Sequence, residues 1–330
     1  MSLTASTAAH LRTREMPKRF QSRSSQRALA FYLFLAPWLA GLVFLWLIPL
    51  TVGLLMSTTN YDGLNLSNVK FLGLQNYQEA LSDPDTLAGF GRTVIWVFIN
   101  LPLWLCGSFG LALLLNQSIR ARGVFRTLFY LPSILPPVAI AWIWKIFLDG
   151  NYGTLNGILG FVQPGIATQW LGNALALPSI SAIATWTSVG AGSVIFLAGL
   201  QSIPVDLEEA ARIDGASRFG VMRYVTIPLM TPIIFFQLIL GLISGLQAFI
   251  FPMLIYGGGV GGGINAKTIP QSINLYMINA FKQVFTYQRF GYGTALIWML
   301  FVIVLGVTFV LFMTSRYWVY SETDTPGGIK

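Results

Sequence analysis

Long apolar runs separated by short polar segments set the pattern of this chain. Six runs hold roughly 20 or more mostly apolar residues each, the length a helix needs to cross a hydrocarbon core. They cover about Leu29–Met56, Thr93–Leu115, Leu128–Leu148, Ser179–Leu200, Pro232–Tyr256 and Thr294–Trp318. The runs are continuous rather than alternating. They therefore predict helices, which satisfy their backbone amides internally, and not barrel strands. Pro132, Pro136 and Pro137 predict a kink or a delayed start in the third run. The fourth is the least hydrophobic, with Thr185, Thr187, Ser188 and Ser193 in its body.

Composition removes the soluble alternative. Of 330 residues, 55% are hydrophobic and 10% charged, against about a quarter charged in soluble domains. Too little polar surface is available to cover a water-soluble core. The expected fold class is an all-α integral membrane protein with six transmembrane helices. A basic arm over 1–28 leads into the permeating domain over 29–318, and a short tail over 319–330 closes the chain. The first apolar run is too long for a signal-peptide core and is expected to stay in the mature protein.

Charge orients the expected spans. Fourteen of the 20 lysines and arginines fall on one side if the N-terminus is cytoplasmic: Arg12, Arg14, Lys18, Arg19, Arg23, Arg27, then Arg120, Arg122, Arg126, then Arg212, Arg218, Arg223, and finally Arg316 and Lys330. Lys70, Arg92, Lys145, Lys267, Lys282 and Arg289 fall on the other side or at helix edges, where Lys145 and Arg92 are expected to snorkel outward. Both termini are thus expected in the cytoplasm. The net charge of +8 reads as a topology signal that also touches anionic lipid, without a nucleic-acid partner. On the outer side, Leu155–Val162 is expected at the membrane interface, and the glycine cluster Gly257–Gly263 as a flexible connection.

Catalytic and metal chemistry find little support. The single cysteine, Cys106, lies in an apolar run, and the single histidine, His10, lies in the polar arm. No HExxH, paired-cysteine or phosphate-loop pattern is present. Neither catalytic residues, a metal site nor a cofactor is expected on this chain.

The most informative stretch is Ser202 to Leu229, between the fourth and fifth runs. Asp206 is the expected N-cap of a short helix with a small apolar face at Leu207, Ala210, Ala211 and Ile213. Gly215 has the residue type expected just past a helix C-terminus. A second short helix with Phe219, Met222 and Val225 on one side is expected to end at Pro228. The expectation is a helix–turn–helix on the cytoplasmic face.

Glu209-Ala210-Ala211, three residues, Gly215, nine residues and Val225-Thr226-Ile227-Pro228 resemble the EAA loop of ABC importer permeases. The departures from that pattern, Val for Ile and Ile for Leu, are conservative. The resemblance implies the type I importer permease fold, with 202–229 as a coupling loop docking on an ATPase subunit through Glu209, Ala210, Ala211, Asp214 and Gly215. Phe71-Leu-Gly-Leu-Gln-Asn-Tyr77 resembles a segment of carbohydrate-uptake permeases. So do Arg126-Thr-Leu-Phe-Tyr-Leu-Pro132, Trp144, Tyr152-Gly-Thr-Leu-Asn156, Phe281 and Phe290-Gly-Tyr-Gly-Thr-Ala295. Together they are similar to the maltose and glycerol-phosphate type.

That resemblance implies a second homologous permease, two ATP-binding cassette subunits that hold ATP and Mg, and an extracytoplasmic solute-binding protein, assembled in a bacterial inner membrane. It also implies a substrate path. Trp186, Thr187 and Ser188 on the fourth span, and Gly241, Ser244, Gly245, Gln247 and Ala248 on the fifth, are its candidate residues. Except for Trp186 and Gln247, these fall on pocket positions of the maltose-type permease, although the residue types differ and no tyrosine stands at Ala191. Gly241 and Gly245 equally suit close helix packing, Trp186 a helix contact, and Gln247 a bond to a neighbouring subunit. Disaccharide, oligosaccharide, polyol and glycerol phosphate remain open as solutes. The rival functions are an amino-acid or peptide permease of the same class and, further off, an ion-coupled transporter. The latter calls for ionisable groups in mid-span, and the cores of the six runs carry essentially none.

Overall fold

A computed structural model describes residues 19–65, 67–118, 120–257 and 269–320. His10, Arg12, Arg14, Lys18, Lys267, Lys330 and the glycine cluster beyond Gly257 lie outside the described residues. The chain divides into two units, 1–55 and 56–330. In the first, helix α1 (Arg19–Gly41) passes through a π-helical turn, Leu42–Leu47, into α2 (Ile48–Ser57), whose end belongs to the second unit. Its apolar stretch Arg27–Ser57 is long enough for one crossing.

The second unit continues with α3 (Gln75–Ser82) and α4 (Pro84–Asn116). Helices α5 (Arg122–Ile134), α6 (Pro137–Phe147), α7 (Thr154–Gly160) and α8 (Ala176–Ser202) follow. Next come α9 (Val205–Ile213), α10 (Arg218–Val221), α11 (Ile227–Leu246) and α12 (Ile250–Tyr256). The described chain closes with α13 (Tyr276–Phe281) and α14 (Phe290–Ser315). Among the described residues, five helical stretches are long and apolar enough to cross a membrane, or six if the α5–α6 pair counts as one span.

Two of the expected rods are broken. Helices α5 and α6 meet at 96°, and the break falls in the middle of the third apolar run rather than near its start. Leu135 precedes Pro136, and Pro136 precedes Pro137, so both are driven to extended backbone, with ψ of 141° and 131°. Pro132 instead rides inside α5. The fifth run breaks at Gln247–Phe249. Pro252 has no amide to donate to Ala248 and its ring crowds that carbonyl, which favours a break here, although Pro132 is carried inside α5.

Lipid offers helices no hydrophobic drive toward one another, so close approach and hydrogen bonds must hold them. Helices α4 and α8 make the most extensive pairing in the molecule. A Cβ on Gly192 of α8 would collide with the Ser108 Oγ of α4, and one on Gly190 with the Phe129 carbonyl of α5. Asn100 Nδ2 donates to Ser181 Oγ at 2.8 Å, and Trp104 Nε1 to the Ser188 carbonyl at 3.2 Å. Below them Leu111, Leu115, Phe196, Leu200 and Met230 close an apolar cluster that includes α11.

The stretch from Ile269 to α13 is the deepest-buried part of the unit, although its position between two spans suggests a surface loop. Ile273, Leu275, Ile278 and Ala280 are fully buried. It is stitched to the first turns of α4. The Tyr276 amide donates to Thr93 Oγ1 at 2.8 Å, Arg92 Nε to the Asn274 carbonyl at 2.9 Å, and Asn279 Nδ2 to Thr86 Oγ1 at 2.9 Å. Arg92 therefore does not simply snorkel; its Nε and Nη1 bond within the fold, while its Nη2 is buried without a partner among the described residues. Lys282 is likewise buried, donating to Asn274 Oδ1 at 2.9 Å. Burial lowers its pKa, with Asp85 opposing the shift.

Two short motifs far apart in the chain meet here. Asn76 Nδ2 donates to the Ser57 and Thr59 carbonyls, both at 2.8 Å, and Tyr77 Oη shares a hydrogen with Ser57 Oγ at 2.6 Å. The Gly291 amide donates to the Tyr61 carbonyl at 2.8 Å, and a Cβ on Gly291 would strike the Thr59 carbonyl. Tyr292 Oη reaches Asp83 Oδ2 at 3.1 Å, and Arg289 pairs with Glu79 at 2.7 Å.

Asp83 caps α4 by accepting from the Asp85 and Thr86 amides and from Thr86 Oγ1. Partial burial pushes its carboxyl up, but these donors and Tyr292 outweigh it and hold the pKa below the usual range. A carboxylate with a lowered folded pKa contributes stability above its unfolded value, near about 4, and loses it as pH falls through the folded value. Asp83→Ala is expected to cost about 1 kcal/mol at neutral pH. In thermal melts of the solubilised protein, the wild-type advantage should shrink steadily as pH drops below about 4.

Candidate functional site

At one end of the second unit, α8 runs into the short helix α9 with only Ile203 and Pro204 between them. The N-cap is Pro204, with ψ 127°, and not Asp206, which sits inside the first turn beside Glu208. The helix thus starts two residues earlier than an Asp206 cap implies, because proline has no amide of its own to leave unsatisfied ahead of the helix and its ring already holds φ near the helical value. Both acids still face the positive end of the helix dipole. Arg212 pairs with Glu208 one turn back at 3.1 Å.

Helix α9 ends in a left-handed glycine. Gly215 has φ +85°, and a Cβ there would meet nothing within 4 Å, so φ and not space demands glycine. The Ala216 amide donates to the Ala211 carbonyl at 2.9 Å, and the Gly215 amide to the Arg212 carbonyl at 3.1 Å. This pair of bonds is the Schellman closure. Ser217 then caps α10 by accepting from the Gly220 amide at 3.2 Å, and a π-helical turn, Met222–Thr226, leads directly into α11. Glu209, Ala210, Asp214 and Gly215 are exposed, and Ala211 is half-buried. Ile213 is 86% exposed and Phe219 73%. Both apolar side chains are thus left in the open near the acidic first turn of α9.

A cavity of about 500 Å³ lies between α4, α8, α11 and the α11–α12 break. Six of the eight path candidates line it: Ser188, Gly241, Ser244, Gly245, Gln247 and Ala248. Trp186 and Thr187 do not. Trp186 packs edge-on against Trp144 with ring centroids 5.5 Å apart, and Thr187 is buried with its hydroxyl donated to the Ala184 carbonyl at 2.8 Å. Gly241 serves packing as well as the cavity, since a Cβ there would come 2.5 Å from Leu101 and 2.7 Å from Trp104.

The cavity also has a wall that sequence reading passed over. Trp96, Asn100 and Trp104 of α4 line it, as does Gln237 of α11. Gln237 is fully buried, with Nε2 3.4 Å from the Gly192 carbonyl. The available signal was an amide side chain within an apolar run, at Asn100 and again at Gln237.

Residues 105–320 match the family described as binding-protein-dependent transport system inner membrane component. The chain belongs to this family. The permease is 36% identical over 307 residues to the probable ABC transporter permease protein YesP of Bacillus subtilis (strain 168), covering 92% of this chain and 96% of that one. It is 31% identical over 288 residues to the trehalose/maltose transport system permease protein MalF of Thermococcus litoralis, covering 87% and 93%. A bacterial ABC transporter involved in import of the acidic polysaccharide alginate shares the fold, with a TM-score of 0.76 over 90% of this chain and 98% of that one at 20% identity. The permease is thus a non-catalytic, membrane-spanning subunit of an ABC importer, and partner ATPase subunits hydrolyse the ATP.

The left-handed cap makes a local prediction. Gly215→Val should strain the reversal by roughly 1–2 kcal/mol, whereas Gly215→Asn tolerates positive φ. Brief trypsin digestion of the purified permease should cut faster after Arg212 and Arg218 in the valine variant, with the asparagine variant close to wild type.

Proposed function

We propose that this permease forms half of the translocation path of a carbohydrate importer, with both termini and the loop over 202–229 on the cytoplasmic side. The loop docks on an ATPase subunit through Glu209, Ala210, Ala211, Asp214 and Gly215. Ile213 and Phe219 supply apolar contact beside the acidic turn. Solute passes the cavity formed by Ser188, Gly241, Ser244, Gly245, Gln247 and Ala248. ATP with its magnesium stays on the partner subunits. A second permease completes the path, and a solute-binding protein delivers the solute.

The observation that carries this reading is continuity. The exposed α9–α10 reversal and the cavity are the two ends of one helical run, Arg218 to Leu246. A displacement of the docking loop is therefore conveyed to Ser244, Gly245 and Gln247 without an intervening flexible joint. The distribution of arginines supports the orientation. The solute class is supported by relatives whose names specify carbohydrates: trehalose and maltose, starch degradation products, diacetylchitobiose and lactose. Alternating access follows if ATP binds one arrangement of the assembly more tightly than the other.

Two measurements test it. In a Cys106→Ser background, Ile213→Cys should react with a membrane-impermeant maleimide in inside-out vesicles and not in intact cells. Labelling from outside would reverse the orientation. With partner subunits and binding protein in proteoliposomes, Glu209→Lys should reduce glycoside-stimulated ATP hydrolysis and uptake by tenfold or more, on the order of one buried charged contact. Normal uptake would remove the loop from coupling.

A further inference from the structure

We propose that the Trp96–Asn100–Trp104 face of α4 is a recognition wall of the solute cavity, and that the cavity selects uncharged glycosides over sugar acids and sugar phosphates. This rests on the carbohydrate reading above and narrows it. The three residues are spaced by four, so they lie along one helix face, and all three line the cavity.

Asn100 is held in place and has capacity to spare. Its Nδ2 donates to Ser181 Oγ at 2.8 Å, and its Oδ1 lies 3.5 Å from Thr185 Oγ1. A primary amide offers two hydrogens and two acceptor lone pairs, so each end of Asn100 retains one more bond. A sugar hydroxyl, at once donor and acceptor, is matched to that pair. Trp104 is fixed by its bond from Nε1 to the Ser188 carbonyl. The half-buried indole of Trp104 gives the apolar C–H face of a pyranose a surface to cover, while Trp96, 4% exposed and part of the apolar core, backs the amide from the other side. Across the cavity, Ser188, Gln237, Ser244 and Gln247 supply further neutral hydrogen-bonding groups.

Charge decides the class. Every lining residue among those described is uncharged. The cation one turn away on the same helix face, Arg92, is outside the lining; its Nε and Nη1 donate to the Asn274 carbonyl and to Gln271 Oε1, and its buried Nη2 has no partner among the described residues. A carboxylate or phosphate entering this cavity would shed water without meeting a counter-charge, which is costly. A hydroxyl loses little, because it exchanges water for a protein partner. The volume of about 500 Å³ suits a short glycoside, within the usual span of small-molecule sites.

The test reads the permease without the selectivity of the binding protein. The assembled importer, in nanodiscs and free of binding protein, is examined by saturation-transfer-difference NMR. The probes are maltose, lactose and diacetylchitobiose against digalacturonate and glucose 6-phosphate. Neutral disaccharides should bind and the two acids should not. Asn100→Leu should weaken neutral binding about three- to tenfold. Ser181→Ala, which releases the anchor and keeps the amide, should weaken neutral binding clearly less than Asn100→Leu does. Equal binding of the acids overturns the charge selection. Equal loss in the serine and asparagine variants overturns the recognition role and leaves Asn100 a packing residue. Failure of every probe to bind wild type would overturn the carbohydrate reading together with this one, a result distinct from either of the others.

Discussion

The close approach of α4 and α8 is the constraint on which the other features depend. Apolar side chains gain nothing by leaving lipid for one another, so the pair is held by small residues and buried bonds instead. Gly192 against Ser108, Gly190 against Phe129, and Asn100 against Ser181 bring the backbones together. The same contacts fix Trp104 and Ser188 as cavity wall. Because only Ile203 and Pro204 separate α8 from α9, they also fix where the exposed α9–α10 reversal emerges. Serines and glycines of the fourth span thus serve fold and path together, which is why their sequence signal is ambiguous.

The opposite end of the unit is governed by hydrogen bonds around the start of α4. Asp83, Thr86, Arg92 and Thr93 receive or supply bonds to a segment nearly 200 residues further on. The motif ending in Asn76-Tyr77 and the motif around Gly291-Tyr292 belong to this knot, where the former ties down the end of α2 and the latter fits against Thr59. These segments carry family resemblance, yet their geometry is that of a structural clasp. Specificity for a solute is more economically sought in Asn100 and its neighbours, which no short motif marks.

Much of this was legible in the chain. The positions of the apolar runs and the glycine at 215 follow from hydropathy and turn chemistry, and six of the eight path candidates, drawn chiefly from the family resemblance, fall together on one cavity. What escaped has physical causes. Hydropathy is blind to direction, so the break before Pro252 leaves the apolar pattern intact while ending the helix, and at Leu135–Pro136 the prolines announce a kink without fixing its 96°. A proline start displaced Asp206 from the cap. Burial of Ile269 to Lys282 could not be read from a segment between two spans, because its core is made by contacts distant in sequence. Of the two readings open for Trp186, solute path and helix contact, its edge-on packing against Trp144 matches the second.

The unbroken run from the docking loop into α11 has a mechanical meaning. At 1.5 Å per residue, the 20 residues of α11 make a rod of about 30 Å. Pivoting such a rod by about 10° at its base carries the far tip sideways by roughly 5 Å, close to the width of one hexose ring. The break at Gln247–Phe249 is where that sweep would be absorbed, so a modest rocking at the membrane edge is geometrically sufficient to reshape the chamber.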